Sequence, residues 1–95
     1  MNSYDFEKVA KNAVIKILKE DYDIHPTIKE MQVVWFTHCL GYKKCCLYAP
    51  CMKAKYAEVT YNREKDELYV DIYIKDYNKK IPFDGFDFEA KEEIK

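Results

Sequence analysis

The sequence predicts an α+β domain in which an N-terminal amphipathic helix packs on one face of a four-stranded antiparallel sheet, in the order αββββ. Residues 4–19 repeat apolar positions at i, i+3, i+4 and i+7, which is typical of a helix with one buried face. Residues 56–61 and 68–74 alternate with a period of two, which is typical of half-buried strands. With 95 residues, of which 48% are apolar and 35% charged, we expect one domain over residues 1–95 with a single modest core.

The predicted helix covers residues 4–19. Asn2 or Ser3 can cap it, because a short polar side chain accepts a hydrogen bond from a free amide of the first turn. The pattern ends near Pro26, since proline disfavours helical backbone in the residue before it. Residues 27–31 are expected to add at most one further turn. The apolar helix positions are Phe6, Val9, Ala10, Ala13, Val14, Ile17 and Leu18.

Four strands are predicted after the helix. Residues 32–40 and 44–49 form the first hairpin around a turn at residues 41–43, and Pro50 ends the second strand. Residues 51–55 are expected to form a connection or a short helical turn. The two alternating segments form the second hairpin, joined around residues 62–66. One helix covers only one face of such a sheet, so the other face stays open to solvent or to a partner.

The second hairpin has two different faces. Its apolar face is an ordinary core face: Ala57, Val59, Tyr61, Leu68, Val70, Ile72 and Ile74. Its other face combines tyrosine with few charges, a composition that suits protein interfaces. We therefore predict a partner-binding surface made of Glu58, Thr60, Tyr69, Asp71 and Tyr73.

Glu58 and Asp71 are candidate paired carboxylates. In one register they lie directly across from each other, where two like charges could bind a divalent cation or raise one pKa. A register shifted by two residues sets Glu58 against Tyr73 and Thr60 against Asp71, which is an ordinary polar ladder. We expect the shifted register, because exposed charges are usually only solvated.

A group of one histidine and four cysteines lies in the middle of the chain: His38, Cys39, Cys45, Cys46 and Cys51. Its spacing lacks the C-x-x-C element of structural zinc sites. Cys45 and Cys46 are adjacent in a strand, so they point to opposite faces. We expect Cys39 to lie across from Cys45 or Cys46 and the cysteines to be buried or half-buried thiols. Metal or redox use is the alternative; we predict no metal and no cofactor.

Lys43, Lys44, Lys53 and Lys55 form a basic middle segment that contains no acidic residue. Such lysines could contact a nucleic-acid backbone while neighbouring tyrosines stack on bases. The net charge of −1 argues against gross attraction to nucleic acid or to a membrane. We expect these lysines to form a solvated edge, with nucleic-acid binding as a second hypothesis.

The C-terminal residues 82–95 form an acidic, aromatic tail. We expect its phenyl rings to dock on the sheet as a closing strand, with contact to a basic partner as the alternative. No apolar run approaches the roughly 20 residues of a membrane span, and Asp5 and Glu7 replace the basic and apolar regions of a signal peptide. These features predict a cytoplasmic protein that does not contact membranes.

Three segments carry a family resemblance: V-V-W-F at residues 33–36, E-V-T-Y-N at residues 58–62 and Y-V-D-I-Y-I-K at residues 69–75. Over residues 30–81 the chain resembles a family of small proteins of unknown function from phages and prophages of Firmicutes. The resemblance carries no catalytic residues. It implies a setting, the host cytoplasm, in which small proteins often bind and inhibit a host or defence protein, CRISPR effectors among them.

The leading hypothesis is therefore a non-enzymatic phage or prophage protein that binds another macromolecule, either a host or defence protein or a second copy of itself. One alternative is a nucleic-acid-binding accessory protein that uses residues 43–55. The other is binding of a metal or small molecule at Glu58 and Asp71, or at the cysteine and histidine group.

Overall fold

The computed structural model describes residues 2–82, and they form one helix packed on a four-stranded sheet. Each strand runs antiparallel to the next, and the order across the sheet is that of the chain. The predicted α+β arrangement is thus confirmed. The elements are helix α1 (Ser3–Ile17), a π-helical turn (Leu18–Tyr22), β1 (Gln32–Cys39), β2 (Tyr42–Tyr48), a 3₁₀ turn (Pro50–Met52), β3 (Lys55–Asn62) and β4 (Glu67–Ile74).

Helix α1 begins where a side chain can satisfy its first turn. The Asn2 side chain accepts a hydrogen bond from the Asp5 backbone N–H at 2.8 Å, which confirms one of the two predicted caps. The predicted end at residue 19 is too early, because the π-helical turn carries the helix on to Tyr22. It stops at Asp23, whose φ of 56° leaves the helical region. Residues 28–30 form a hydrogen-bonded turn and not a further helical turn.

The core lies between α1 and the two central strands. The helix contributes Phe6, Ala10, Val14 and Leu18, and these side chains are fully buried against β2 and β3. The Phe6 ring also packs on Phe36 of β1, with centroids 5.9 Å apart. The buried residues from the rest of the chain are Met31, Cys45, Leu47, Ala49, Met52, Ala57 and Val59.

The inner face of β4 is covered less well. Leu68, Val70 and Ile72 are half-buried at the margin of the core, whereas Ile74 is 64% exposed. The prediction that placed Ile74 in the core is wrong because α1 packs on β2 and β3, so the end of the edge strand lies beyond the helix.

The first hairpin turns one residue earlier than predicted. Its loop is Leu40-Gly41, with positive φ at both residues (50° and 86°), as a type I′ turn requires. Tyr42 therefore already pairs with Cys39, and β2 begins two residues before the predicted start. In β1 the register shifts between Val33 and Trp35, so Val34 is the extra residue of a β-bulge.

The two roles predicted for the C-terminal tail concern residues that the structure does not describe. Of the acidic, aromatic tail at residues 82–95, all but residue 82 lies outside the described residues, so both predicted roles stay predictions. Within residues 2–82, no helix combines the length and the apolar character that a membrane crossing needs.

Candidate binding surface

The side of the sheet that faces away from α1 has no covering element among residues 2–82, and we call it the open face. It is formed by alternate residues of all four strands, because successive side chains of a strand point to opposite faces. Six of its side chains are aromatic: Trp35, Tyr42, Tyr48, Tyr56, Tyr69 and Tyr73. The polar and small members include Thr37, Cys39, Lys44, Cys46, Glu58, Thr60, Asn62, Glu67 and Asp71.

The register sets these side chains in rows across the sheet. One row runs through Trp35, Cys46, Glu58 and Asp71, and the next runs through Thr37, Lys44, Thr60 and Tyr69. At the other end of the second hairpin, Tyr56 and Tyr73 face each other with ring centroids 5.1 Å apart and planes inclined by 18°. The five residues predicted from the second hairpin therefore do share one face.

The predicted register of the second hairpin is wrong: Glu58 lies directly opposite Asp71, not opposite Tyr73. The turn explains the difference. Asn62 pairs with Glu67, and the Asn62 side chain accepts a hydrogen bond from the Glu64 N–H at 3.0 Å, which closes a four-residue loop. Since loop length sets hairpin register, this loop pairs the two carboxylates.

A lysine, and not a metal ligand set, accompanies the carboxylate pair. The Lys44 Nζ atom lies 3.1 Å from Oε1 of Glu58, so a neighbouring strand compensates one of the two charges. Among the described residues, no group of three or more His, Cys, Asp or Glu side chains is placed to hold a metal ion. The arrangement is a salt bridge beside an exposed Asp71, which forms no salt bridge with another residue of the range 2–82.

Carboxylates of β3 and β4 raise the pKa values of neighbouring side chains on the open face. The hydrogen bond to Glu58 and the charge of that carboxylate raise the pKa of Lys44. The pKa of Tyr73 is raised first by the charge of Glu58, then by desolvation and by Asp71. The pKa of Tyr69 is raised because its hydroxyl donates a hydrogen bond to Glu67. All three shifts have the direction that nearby carboxylates produce, so the β3–β4 half of the open face favours cationic groups.

The cysteine and histidine group is dispersed. Cys45 and Cys46 point to opposite faces, as predicted, and both are buried. Cys39 and Cys51 are exposed thiols, so the expectation of burial is wrong for them. Cys39 pairs with Tyr42, not with Cys45 or Cys46, because the turn lies at Leu40-Gly41. Burial raises the pKa of the Cys45 thiol to about 12, which keeps it protonated and unreactive.

The four predicted lysines do not form one surface. Lys43 lies on the helix side of β2, opposite Tyr61, whereas Lys44 is engaged with Glu58 on the open face. Lys53 and Lys55 lie at the opposite end of the sheet, in and after the β2–β3 connection. A nucleic-acid backbone would therefore not meet all four lysines together.

Sequence reasoning missed four aromatic members of the open face. Tyr42, Tyr48 and Tyr56 share the parity of Lys44 and Glu58 along β2 and β3, so the period of two could have identified them. The alternation along β1 could not assign Trp35 to this face, because the bulge at Val34 reverses it. The open face consequently has six aromatic side chains, whereas the predicted surface contained only Tyr69 and Tyr73.

Comparison with known proteins gives a match to a family model. A family model described as a family of unknown function (DUF6275) matches residues 7–83, which include most of α1 and all four strands. No curated protein and no solved structure gives a significant match.

Proposed function

The chain belongs to the family of unknown function DUF6275, and we propose that it is a non-enzymatic protein that binds another protein through the open face. The observation that carries the proposal is the set of six aromatic side chains on a sheet face with no cover among residues 2–82. Following the resemblance of residues 30–81, the proposed setting is a phage or prophage and the proposed partner is a host or defence protein, CRISPR effectors included.

The aromatic side chains suit this role because they are large, rigid and partly exposed. Trp35, Tyr42, Tyr69 and Tyr73 each keep 39–45% of their surface in solvent. Tryptophan and tyrosine dominate the energetics of interfaces, since they bury a large area and lose few rotamers. The stack of Tyr56 on Tyr73 holds two of the rings in place before a partner arrives, which lowers the entropic cost of binding.

The charges indicate which partner chemistry fits. Lys44 compensates Glu58, which leaves Asp71 and Glu67 on the β3–β4 half beside the tyrosine rings. Arginine or lysine side chains of a partner could pair with these carboxylates and stack on the rings. A phosphate backbone would be repelled there, so a protein partner is favoured over nucleic acid. A second copy stacked face to face would bring like charges together around Asp71, which disfavours that form of homodimer.

The test compares two double variants of equal composition. Tyr69→Ala with Tyr73→Ala removes two rings from the open face, whereas Tyr4→Ala with Tyr22→Ala removes two rings of the helical segment, which are 67% and 39% exposed. Affinity capture from a bacterial lysate should retain a specific protein with the unmodified chain and with the second variant, and lose it with the first.

Size-exclusion chromatography with light scattering separates self-association from partner binding. If the first variant captured the same proteins and associated with itself to the same extent as the unmodified chain, the proposal would be abandoned. If only self-association were lost, the partner would be a second copy instead of a host protein.

A further inference from the structure

A cleft of about 280 Å³ opens at the end of the open face next to the β2–β3 connection. Cys46 and Tyr48 of β2 and Tyr56 of β3 line it, and the bulged residue Val34 borders it from β1. The remaining lining residues are Lys53, Ala54, Lys55 and Lys75. The cleft thus combines apolar and aromatic side chains with lysines, and none of the carboxylates within residues 2–82 lines it.

The backbone at Lys53 is unusual and borders this cleft. Its φ and ψ of 57° and −109° lie in a region that glycine adopts freely and other residues adopt only with strain. The Lys53 N–H donates to the Pro50 carbonyl at 3.1 Å, and the Tyr48 hydroxyl donates to the Lys53 carbonyl at 3.0 Å. A lysine held where glycine would be relaxed suggests that its side chain is needed there.

Two of the lysines that line the cleft, Lys53 and Lys75, form no salt bridge with another described residue. Lys53 is exposed at the edge of the cleft. The Lys75 N–H donates a hydrogen bond to the Ala54 carbonyl at 2.7 Å, which fixes the segment after β4 relative to the β2–β3 connection. The Lys55 ammonium instead lies 5.6 Å from the ring centroid of Tyr22, toward the helix side. Glu58 lies directly opposite the cleft residue Cys46, and its carboxylate is already paired with Lys44.

The walls of the cleft can receive a flat ring. Tyr48 and Tyr56 are both half-buried, and Tyr56 is supported by its stack on Tyr73. Stacking on tyrosine tolerates any planar heterocycle, and lysine ammonium groups bind phosphate as point charges. The bulge at Val34 adds to the argument, since β-bulges often redirect side chains next to binding sites.

We propose that this cleft binds a small organic anion made of a flat ring and a phosphate, such as a nucleoside monophosphate. Lys53 and Lys75 contact the phosphate, and the ring lies against Tyr48 or Tyr56. This site goes beyond the proposed function, because contact of the open face with a protein partner does not require it.

The probe is Trp35, the only tryptophan of the chain, which lies opposite the cleft residue Cys46. With fluorotryptophan at this position, fluorine NMR follows a titration with adenosine monophosphate, with adenosine and with inorganic phosphate. The nucleotide should produce a saturable shift. Adenosine and phosphate alone should each bind at least about tenfold more weakly, because each makes only one of the two kinds of contact.

Three variants locate the binding. Lys53→Gly should weaken nucleotide binding about tenfold, which is the effect of losing one charge-assisted contact. The same variant should unfold at the same or a higher urea concentration, because glycine relieves the backbone strain at this position. Lys75→Gln should weaken binding to a similar extent. Lys65→Gln, which removes an equal charge from the turn at residues 63–66, should leave binding unchanged.

The absence of a saturable nucleotide shift would overturn the proposal, as would equal binding by Lys53→Gly and the unmodified chain. An equal loss in Lys65→Gln would also overturn it, since binding would then reflect net charge and not the cleft. None of these outcomes affects the capture experiment with Tyr69 and Tyr73, so the two proposals can fail separately.

Discussion

Replacing Leu40 by asparagine is expected to stabilise the protein, although leucine is the more hydrophobic residue. Leu40 is the first loop residue of the β1–β2 hairpin, and its φ of 50° lies in the left-handed region. An L-residue with a bulky side chain is roughly 1–2 kcal/mol less stable in that region, whereas asparagine tolerates it. The side chain is 91% exposed, so the substitution sacrifices no buried surface.

The expected gain is about 1 kcal/mol in the free energy of unfolding, which for a domain of this size corresponds to a rise in Tm of about 4–8 °C. Urea unfolding followed by circular dichroism measures the first quantity, and a thermal scan measures the second. Leu40→Ala is the matched control, because alanine removes the same exposed leucine but keeps the unfavourable φ.

Equal stability of the asparagine and alanine variants would refute the reasoning, because only the backbone preference distinguishes them. The same variants also bear on function. Leu40 lies beside Tyr42 at the tip of the hairpin, next to Arg63 and Glu64 of the second turn. If Leu40→Asn gained stability but lost the captured partner, the leucine would belong to the contact surface.

Three further predictions concern the buried Phe6 ring, the reactivity of the cysteines and the pH dependence of stability. Phe6→Ala should destabilise the fold by about 3–5 kcal/mol in urea unfolding, because the ring is fully buried, whereas Val9→Ala on an exposed part of α1 should cost less than about 1 kcal/mol. A thiol reagent should modify the exposed Cys39 and Cys51 rapidly in the folded protein, and the fully buried Cys45 only on unfolding. Because the Cys45 pKa rises from 9.0 to about 12 on folding, the unfolded chain loses this proton first. Stability should therefore fall as the pH rises through 9.0 toward 12, and less steeply in Cys45→Val.

The fold was accessible to sequence reasoning because its two periodicities are clear. The repeat of Phe6, Ala10, Val14 and Leu18 marks the buried stripe of the helix, and the alternation around Val59 marks a strand. The positions of the turns were harder to predict from the sequence. A leucine does not signal a type I′ turn, so the sequence pattern extends the first strand to Leu40 and predicts the hairpin turn one residue late.

Only part of the candidate surface could be predicted from the sequence, for related reasons. The side chains of one hairpin could be assigned to a face by parity, but their pairing depended on the loop that Asn62 closes. The salt bridge between Lys44 and Glu58 joins two hairpins, and no local pattern predicts it. The cleft depends on the bulge at Val34 and the backbone of Lys53, neither of which has a sequence signature here.

The most direct test of the central claim is whether a partner covers the open face. Fluorotryptophan at Trp35 gives one fluorine signal from the middle of the first hairpin, and tryptophans of an unlabelled partner are silent. The account predicts that adding the captured protein shifts or broadens this signal, and that the Tyr69→Ala and Tyr73→Ala double variant shows no such change. A partner that binds the chain while the Trp35 signal stays that of the free protein would contradict the account.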